Sequence, residues 1–319
     1  MESRPNALID LHRHLEGSVR SSTVIEVARR DGHSFAALER PRDEMVFQGE
    51  PDGLLPYLHK VDRVIPLLTT AADWNRAAYE ATLDAFEDGL DYVEFRFAPW
   101  LIQSESGIDA HEVVDAVSDG VIAGTRLTGL PVNLIGVIVR DLGPESAIEQ
   151  AELFTSRTRE LVAIDLAGNE SGFPAAAFAP AFQLAREVGL RLTAHAGEAA
   201  GPESVWSVID DLGVERVGHG LRAADDPRLM ETLAARGITL DLALSSNVHT
   251  GAAASFERHP VRELLAAGVP VTLNTDDPRA SNVTLSHEHD IAVSRVGLTP
   301  EQVALMAQHS ERAAFRPHH

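Results

Sequence analysis

No cysteine occurs anywhere in the 319 residues of the chain. Disulfides, thiolate metal sites and cysteine nucleophiles are therefore excluded. Any bound metal must be held by His, Asp or Glu. Lysine is nearly missing as well, Lys60 being the only one. Positive charge is scarce overall: 27 Lys and Arg stand against 48 Asp and Glu, for a formal net charge of −21. Such a chain repels phosphate backbones and anionic lipid surfaces, so neither nucleic acid nor a membrane is expected as a partner. No apolar run reaches the roughly 18 residues that a membrane span needs. The start, "MESRPNALIDLH", shows no basic region followed by an apolar one, so no secretory leader is expected. These features together predict a cytoplasmic protein. Linkers, low-complexity tracts and short-period repeats are absent too.

What the chain does contain is an alternation of apolar, β-branched runs with longer amphipathic segments, the pattern of a parallel sheet built from βα units. Eight strands are predicted: 7–12, 90–98, 131–139, 161–168, 190–197, 216–220, 238–246 and 269–277. Several intervening helices end at a glycine just before the next strand, as in "REVGLRLT" and "LLAAGVPV". Eight such units predict an α/β fold of the (β/α)₈ TIM-barrel type, with residues 1–319 as one domain. The first connection, about 18–89, is too long for one helix. It predicts a helical, lid-like insertion beside the active face.

Metal-ligand and acid–base residue types collect at the C-terminal ends of these strands, where barrel enzymes carry out chemistry. Strand one ends in His12 and His14, strand four in Gly168, Asn169 and Glu170, and strand five in His195 with Glu198 three residues on. Strand six ends in His219, strand seven in Ser245, Ser246 and Asn247, and strand eight in Asp276 and Asp277. The spacing His-x-His sends both imidazoles to one face of a strand, here the barrel interior. His195 and Asp276 can complete the set from across the barrel. Three imidazoles and a carboxylate suit zinc, with room for a water. Barrels with two metals often bridge them by a carboxylated lysine, but Lys60 lies in the insertion, so one zinc per chain is expected. His33, His59, His111, His249, His259 and His309 are expected at the surface. His287 and His289 are expected to be solvated or to lie behind the site.

The ordered series "DLHRHLEGS", "YVEFRFAP", "VAIDLAGNE", "AHAGE", "RVGHG", "LSSNVHTG" and "LNTDDP" resembles the adenosine deaminase family of the amidohydrolase superfamily over nearly the whole chain. That resemblance implies His12, His14, His195 and Asp276 as zinc ligands and Glu198 as proton donor to the purine ring. It implies His219 as the group that orients and deprotonates the water. Substrate would be met by His14, Glu16, Gly168 and Asp277: Gly168 by a backbone N–H to a ring nitrogen, Glu16 at the ribose hydroxyls, and Asp277 at the water or the protonated purine edge. Two departures stand out. Position 16 is Glu where many members carry Asp, and "DLALSSN" replaces Cys-Pro-x-Ser-Asn while keeping Ser246 and Asn247.

The implied activity is hydrolytic deamination of adenosine or 2′-deoxyadenosine, with a small purine nucleoside as the partner. Adenine, an N6-substituted adenine nucleotide and aminodeoxyfutalosine are the alternative substrates. A nucleotide would need cationic residues near the mouth, for which Arg13 and Arg20 are candidates. A non-catalytic binding protein is disfavoured because the ligands, Glu198 and His219 are all kept. A phosphotriesterase-like hydrolase is disfavoured by the missing bridging lysine. Monomer and homo-oligomer both remain open.

Overall fold

The computed structural model describes residues 7–49 and 53–316. Its centre is a parallel sheet of eight strands in sequential order: β1 (Ile9–His14), β2 (Tyr92–Phe97), β3 (Val132–Val139), β4 (Leu161–Ala167), β5 (Arg191–Ala196), β6 (Arg216–His219), β7 (Thr239–Leu242) and β8 (Val271–Leu273). All eight predicted strands are present. The sheet curls into a barrel, and Asp276 joins its edges. The Asp276 N–H donates to His12 O and the His14 N–H donates to Asp276 O, both at 2.8 Å. The residue that carries a candidate ligand therefore also seals β8 against β1.

Side chains alternate across each strand as the pleat requires. Val93, Phe95 and Phe97 of β2 join the main apolar core. Tyr92, Glu94 and Arg96 project to the opposite face, and all are buried. There Arg96 pairs with Asp165 at 2.8 Å, and Arg216 pairs with Glu94 at 2.7 Å and Asp241 at 3.2 Å. Charges buried this deeply persist only when paired, and this lattice ties β2, β4, β6 and β7 together across the interior. Phe315 closes the same region, its ring 3.8 Å beneath the Arg216 guanidinium.

Around the first of the two histidines β1 is irregular. Asp10 to Arg13 on β1 spans only Val93 to Phe95 on β2, so β1 carries one extra residue, a bulge. Bulges re-aim side chains beside active sites. Here Ile9 and Leu11 pack with Tyr92, yet His12 and His14 still meet His195. The Leu11 N–H at the bulge is satisfied by Asn274 Oδ1 at 2.9 Å.

The long first connection forms helices Ser21–Arg30, Leu54–Asp62 and Ala71–Glu87 with several short turns, as expected. Arg279 ties this insertion to the end of β8. Its guanidinium donates to the carbonyls of Met45, Lys60, Val61 and Glu16. Tyr57 Oη lies 2.7 Å from Ser281 Oγ. Among the described residues no helix is long and apolar enough to cross a membrane.

Strand β7 stops earlier than predicted. The run "ITLDLALSS" reads as one strand, but the chain turns at Ala243 and residues Leu244–His249 form a helix. Short apolar runs do not distinguish strand from buried helix. The buried carboxylate of Glu288 accepts the Ser245 N–H at 3.1 Å and so satisfies the first turn.

Candidate active site

Three imidazole nitrogens converge on one carboxylate oxygen at the top of the barrel. His12 Nε2 and His14 Nε2 lie 3.0 and 3.2 Å from His195 Nε2. The same two atoms lie 3.3 and 3.4 Å from Asp276 Oδ1. Ligands about 2.0–2.1 Å from a shared tetrahedral ion are separated by roughly 3.3 Å, so these four atoms fit a divalent ion. His219 is also near, with ligand atoms of His12, His195, His219 and Asp276 within 4.8 Å of one another. Its Nε2 stands 4.0 Å from Asp276 Oδ2, farther than any distance in the first set. His14 thus approaches the carboxylate more closely than His219 does.

The chemistry of the donors supports the same fit. Burial lowers His12 well below the usual histidine range and His14 to about 3, which leaves both neutral with lone pairs free for a cation. His195 Nδ1 lies 3.1 Å from an Asp165 oxygen, and Arg96 holds that carboxylate. This is the carboxylate–histidine support typical of metal sites. Ser246 Oγ donates to Asp276 Oδ2 at 2.6 Å, leaving Oδ1 to face the imidazoles. Gly218 is required behind them, since a Cβ there would lie 2.8 Å from His12 Cε1.

Two site residues have strained backbones. Among the described residues only His219, Asp276 and Asn282 are non-glycines with positive φ, at 61°, 60° and 55°. Such conformations cost about 1–3 kcal/mol each and collect at functional sites. At Asp276 the two backbone bonds to β1 hold the strain in place.

Beside the ligands lies a cavity of about 320 Å³, lined by Glu16, Gly168, Glu198, His219 and Asp277 as well as His14, His195 and Asp276. Burial, then the charge of Asp276, pushes the Glu198 carboxyl up to about 8. Its Oε1 is buried without a partner, as are Glu16 Oε2 and Asp277 Oδ1. These are the atoms a polar ligand would satisfy. Burial also pushes Glu16 up to about 7, while its Oε1 accepts the Ala98 N–H at 2.8 Å. Gly17 lets the chain pass Asp277, whose Oδ1 would lie 1.9 Å from a Cβ at that position. Burial and then Asp276 raise Asp277 well above the carboxylate range. Helix Leu54–Asp62 roofs the cavity with Leu54, Leu58 and Asp62.

The structure thus gathers all nine residues singled out from the sequence: His12, His14, Glu16, Gly168, His195, Glu198, His219 and the pair Asp276–Asp277 at one strand end. Lys60 stays away, donating from Nζ to Asp43 O. Arg13 donates to Ser18 and Arg20 to Asp84. Neither lines the cavity. Sequence reading misplaced one residue outright. His259, expected at the surface, is buried and bonds Asn247. His249 and His309 are half-buried, while His33, His59 and His111 are exposed. His287 is exposed on helix Leu285–Ser294, as expected. The support of His195 by Asp165 was also missed; an acid on a strand facing the interior is a signal that could have found it. Glu170 was noted at the end of its strand but given no role, and it accepts the backbone N–H of Glu198.

Known proteins show the same architecture. The family profile described as Adenosine deaminase matches residues 7–319. Adenosine deaminase of Serratia proteamaculans is 39% identical over 312 residues, covering 97% of this chain and 93% of that one. That of Aliivibrio fischeri is 41% identical over 300 residues, covering 93% and 90%. Among solved structures, adenine deaminase from Arthrobacter aurescens superposes with a TM-score of 0.91 at 26% identity, covering 98% of this chain and 94% of that one. A zinc-bound amidohydrolase from Burkholderia ambifaria gives 0.89 at 28%, covering 98% and 86%. The N6-methyl-AMP deaminase of Arabidopsis thaliana gives 0.83 at 28%, covering 98% and 93%. A full-length profile match, relatives near 40% identity and the convergent His/Asp group lead to one conclusion: this chain belongs to the adenosine deaminase family and is an aminohydrolase.

Proposed function

We propose that the chain is a single-domain deaminase of purine nucleosides, converting adenosine and 2′-deoxyadenosine with water into inosine and 2′-deoxyinosine plus ammonia. His12, His14, His195 and Asp276 would hold one zinc ion. When bound, zinc lowers the pKa of a water to roughly 7 and makes a nucleophile available at neutral pH. The remaining chemistry belongs to side chains. Addition at C6 pushes electron density onto N1, which must be protonated. Glu198, raised to about 8 by burial, holds a proton at neutral pH and gives it to N1. His219 faces the nucleophile and orients it. Asp277 meets the purine edge or the nucleophile, Gly168 offers its N–H to a ring nitrogen, and His14 and Glu16 meet the sugar side. Ammonia leaves as the 6-oxo purine forms.

The choice of nucleoside over nucleotide rests on one observation. Among the described residues lining the cavity there is no lysine or arginine, while Glu16, Asp62, Asp141, Glu170, Glu198, Asp276 and Asp277 all line it. A phosphate ester would find no lysine or arginine there to neutralise its charge. A substrate panel tests the proposal by loss of the adenine ultraviolet absorbance. Adenosine and deoxyadenosine should turn over with kcat/KM at least about 100-fold above AMP and N6-methyl-AMP, a preference of about 2.7 kcal/mol. Preference for free adenine or for a nucleotide would overturn the substrate assignment.

A further inference from the structure

Between helices Leu244–His249 and Val261–Ala266 the chain carries His259 inward to lie behind the site. His259 Nδ1 accepts the backbone N–H of Val261 at 3.2 Å. A neutral imidazole carries one ring proton, so the His259 proton lies on Nε2. That atom is 3.2 Å from Asn247 Oδ1, which accepts it. The Asn247 amide must then present its NH₂ to His219 Nδ1, 3.0 Å away. His219 Nδ1 is thereby an acceptor, and the proton of neutral His219 lies on Nε2. This is the atom that faces the site, 3.6 Å from Glu198 Oε2 and 4.0 Å from Asp276 Oδ2.

We propose that His259 is a positioning residue that, through Asn247, sets the tautomer of His219 so that its Nε2–H points into the cavity. The chain of bonds starts from a backbone N–H, which has no alternative role: it can only donate. Each later orientation follows from it. Turning the Asn247 amide over would set its NH₂ against the Nε2–H of His259, two donors face to face in a buried space. Burial lowers His259 to about 3, so the ring stays neutral. In this tautomer His219 orients an oxygen nucleophile by donating to it, which favours hydroxide over water and departs from the deprotonating role that the resemblance implied. That consequence rests on the deaminase reading above. The tautomer itself does not.

The test uses full-length protein with ¹⁵N-labelled histidine, zinc-loaded and zinc-free, observed by long-range ¹H–¹⁵N correlation and assigned by signals lost in H219Q and H259Q. The expected result is a pyridine-type Nδ1 and a pyrrole-type Nε2 for both His219 and His259. A pyrrole-type Nδ1 at His219 would overturn the proposal whether or not any substrate is found. In kinetics, His259→Leu should lower kcat by about 10–100-fold with KM and zinc content retained. His259→Gln, whose amide can still donate to Asn247 Oδ1, should recover most of that loss. If H259L matches the wild type in kcat and in the His219 spectrum, the proposal fails. Absence of all turnover would instead refute the substrate assignment and leave the spectrum to decide the tautomer.

Discussion

Glu170 holds the turn that carries Glu198: its carboxylate accepts the Glu198 N–H at 3.2 Å, together with the N–H groups of Gly197, Ala199 and Ala200 at 2.5–3.1 Å. Four donors converge on one buried carboxylate, one on Oε1 and three on Oε2. In Glu170→Gln the amide NH₂ would face at least one of these N–H groups. The expected cost is about 1–3 kcal/mol of stability for the donor left unpaired. Turnover should fall while zinc content stays unchanged, because Glu198 shifts and the ligands do not. Thermal unfolding and metal analysis of the purified variant check both points.

In the proposed reaction Glu198 must be protonated to act. With its carboxyl pushed up to about 8 by burial, the acid form is lost as pH rises, so kcat/KM should show an alkaline limb. A bound dication draws that value downward, which places the limb between the ordinary carboxyl range and about 8. Glu198→Gln should keep its zinc, lose about 10²–10⁴-fold in kcat and lose the limb. A pH profile of the variant that still shows the limb would assign it to another group.

Removal of the metal should lower the melting temperature without unfolding the barrel, since the ionic lattice and apolar core do not depend on it. Saturation at about 1,000 times Kd is worth about 4 kcal/mol. Gly218→Ala places a methyl against His12 Cε1 and should weaken zinc binding by about 10–100-fold. Zinc titration of chelated protein measures both effects, and a stoichiometry of two would refute the single-ion site.

Arg279→Ala removes the donor to four carbonyls of the insertion and the loop after β1. Burial lowers the Arg279 guanidinium to about 10, so it is still charged at neutral pH. The variant should raise KM several-fold more than it lowers kcat, because the roof over the cavity loses its tether while the ligands and Glu198 stay in place. Limited proteolysis should find new cleavage between residues 45 and 62. An unchanged KM would show that the tether does not position the roof.

Glu288 gives a pH dependence of stability. Burial raises its carboxyl from 4.5 to about 7. Its folded-state value lies above its unfolded one, so its contribution is fully present below about pH 4.5 and is lost as pH rises through 7. Glu288→Gln stays neutral throughout and can still accept the Ser245 N–H. The melting temperature of the variant relative to wild type should therefore increase from about pH 5 to about pH 8. A pH-independent difference would remove Glu288 from this account.

Much of the molecule was legible before any coordinates. Eight apolar runs separated by amphipathic segments are a local property, and the period of each run reports its strand or helix directly. His12 and His14 were assigned to one face by alternation alone. That assignment holds although β1 carries a bulge between Asp10 and Arg13, because both imidazoles still reach His195. The meeting of His195 and Asp276 with the two histidines also followed from their lying at strand ends, which a barrel brings to one rim.

Tertiary structure decided what local pattern does not encode. Ser246 and Asn247 lie on a helix because Ala243 turns the chain and Glu288, more than forty residues away, satisfies the first turn. His259 sits in a polar stretch that reads as surface, and only packing behind His219 buries it. Arg13 and Arg20 looked available for a phosphate until their bonds to Ser18 and Asp84 showed them turned away. Residue type and spacing were enough for the barrel and the candidate ligands, while Glu198 as the acid followed from the resemblance carried by the ordered motifs. Only the folded chain decided the charge of the cavity mouth, the raised carboxyl of Glu198 and the hydrogen-bond chain through Asn247, because each depends on distant segments excluding water from the same small space.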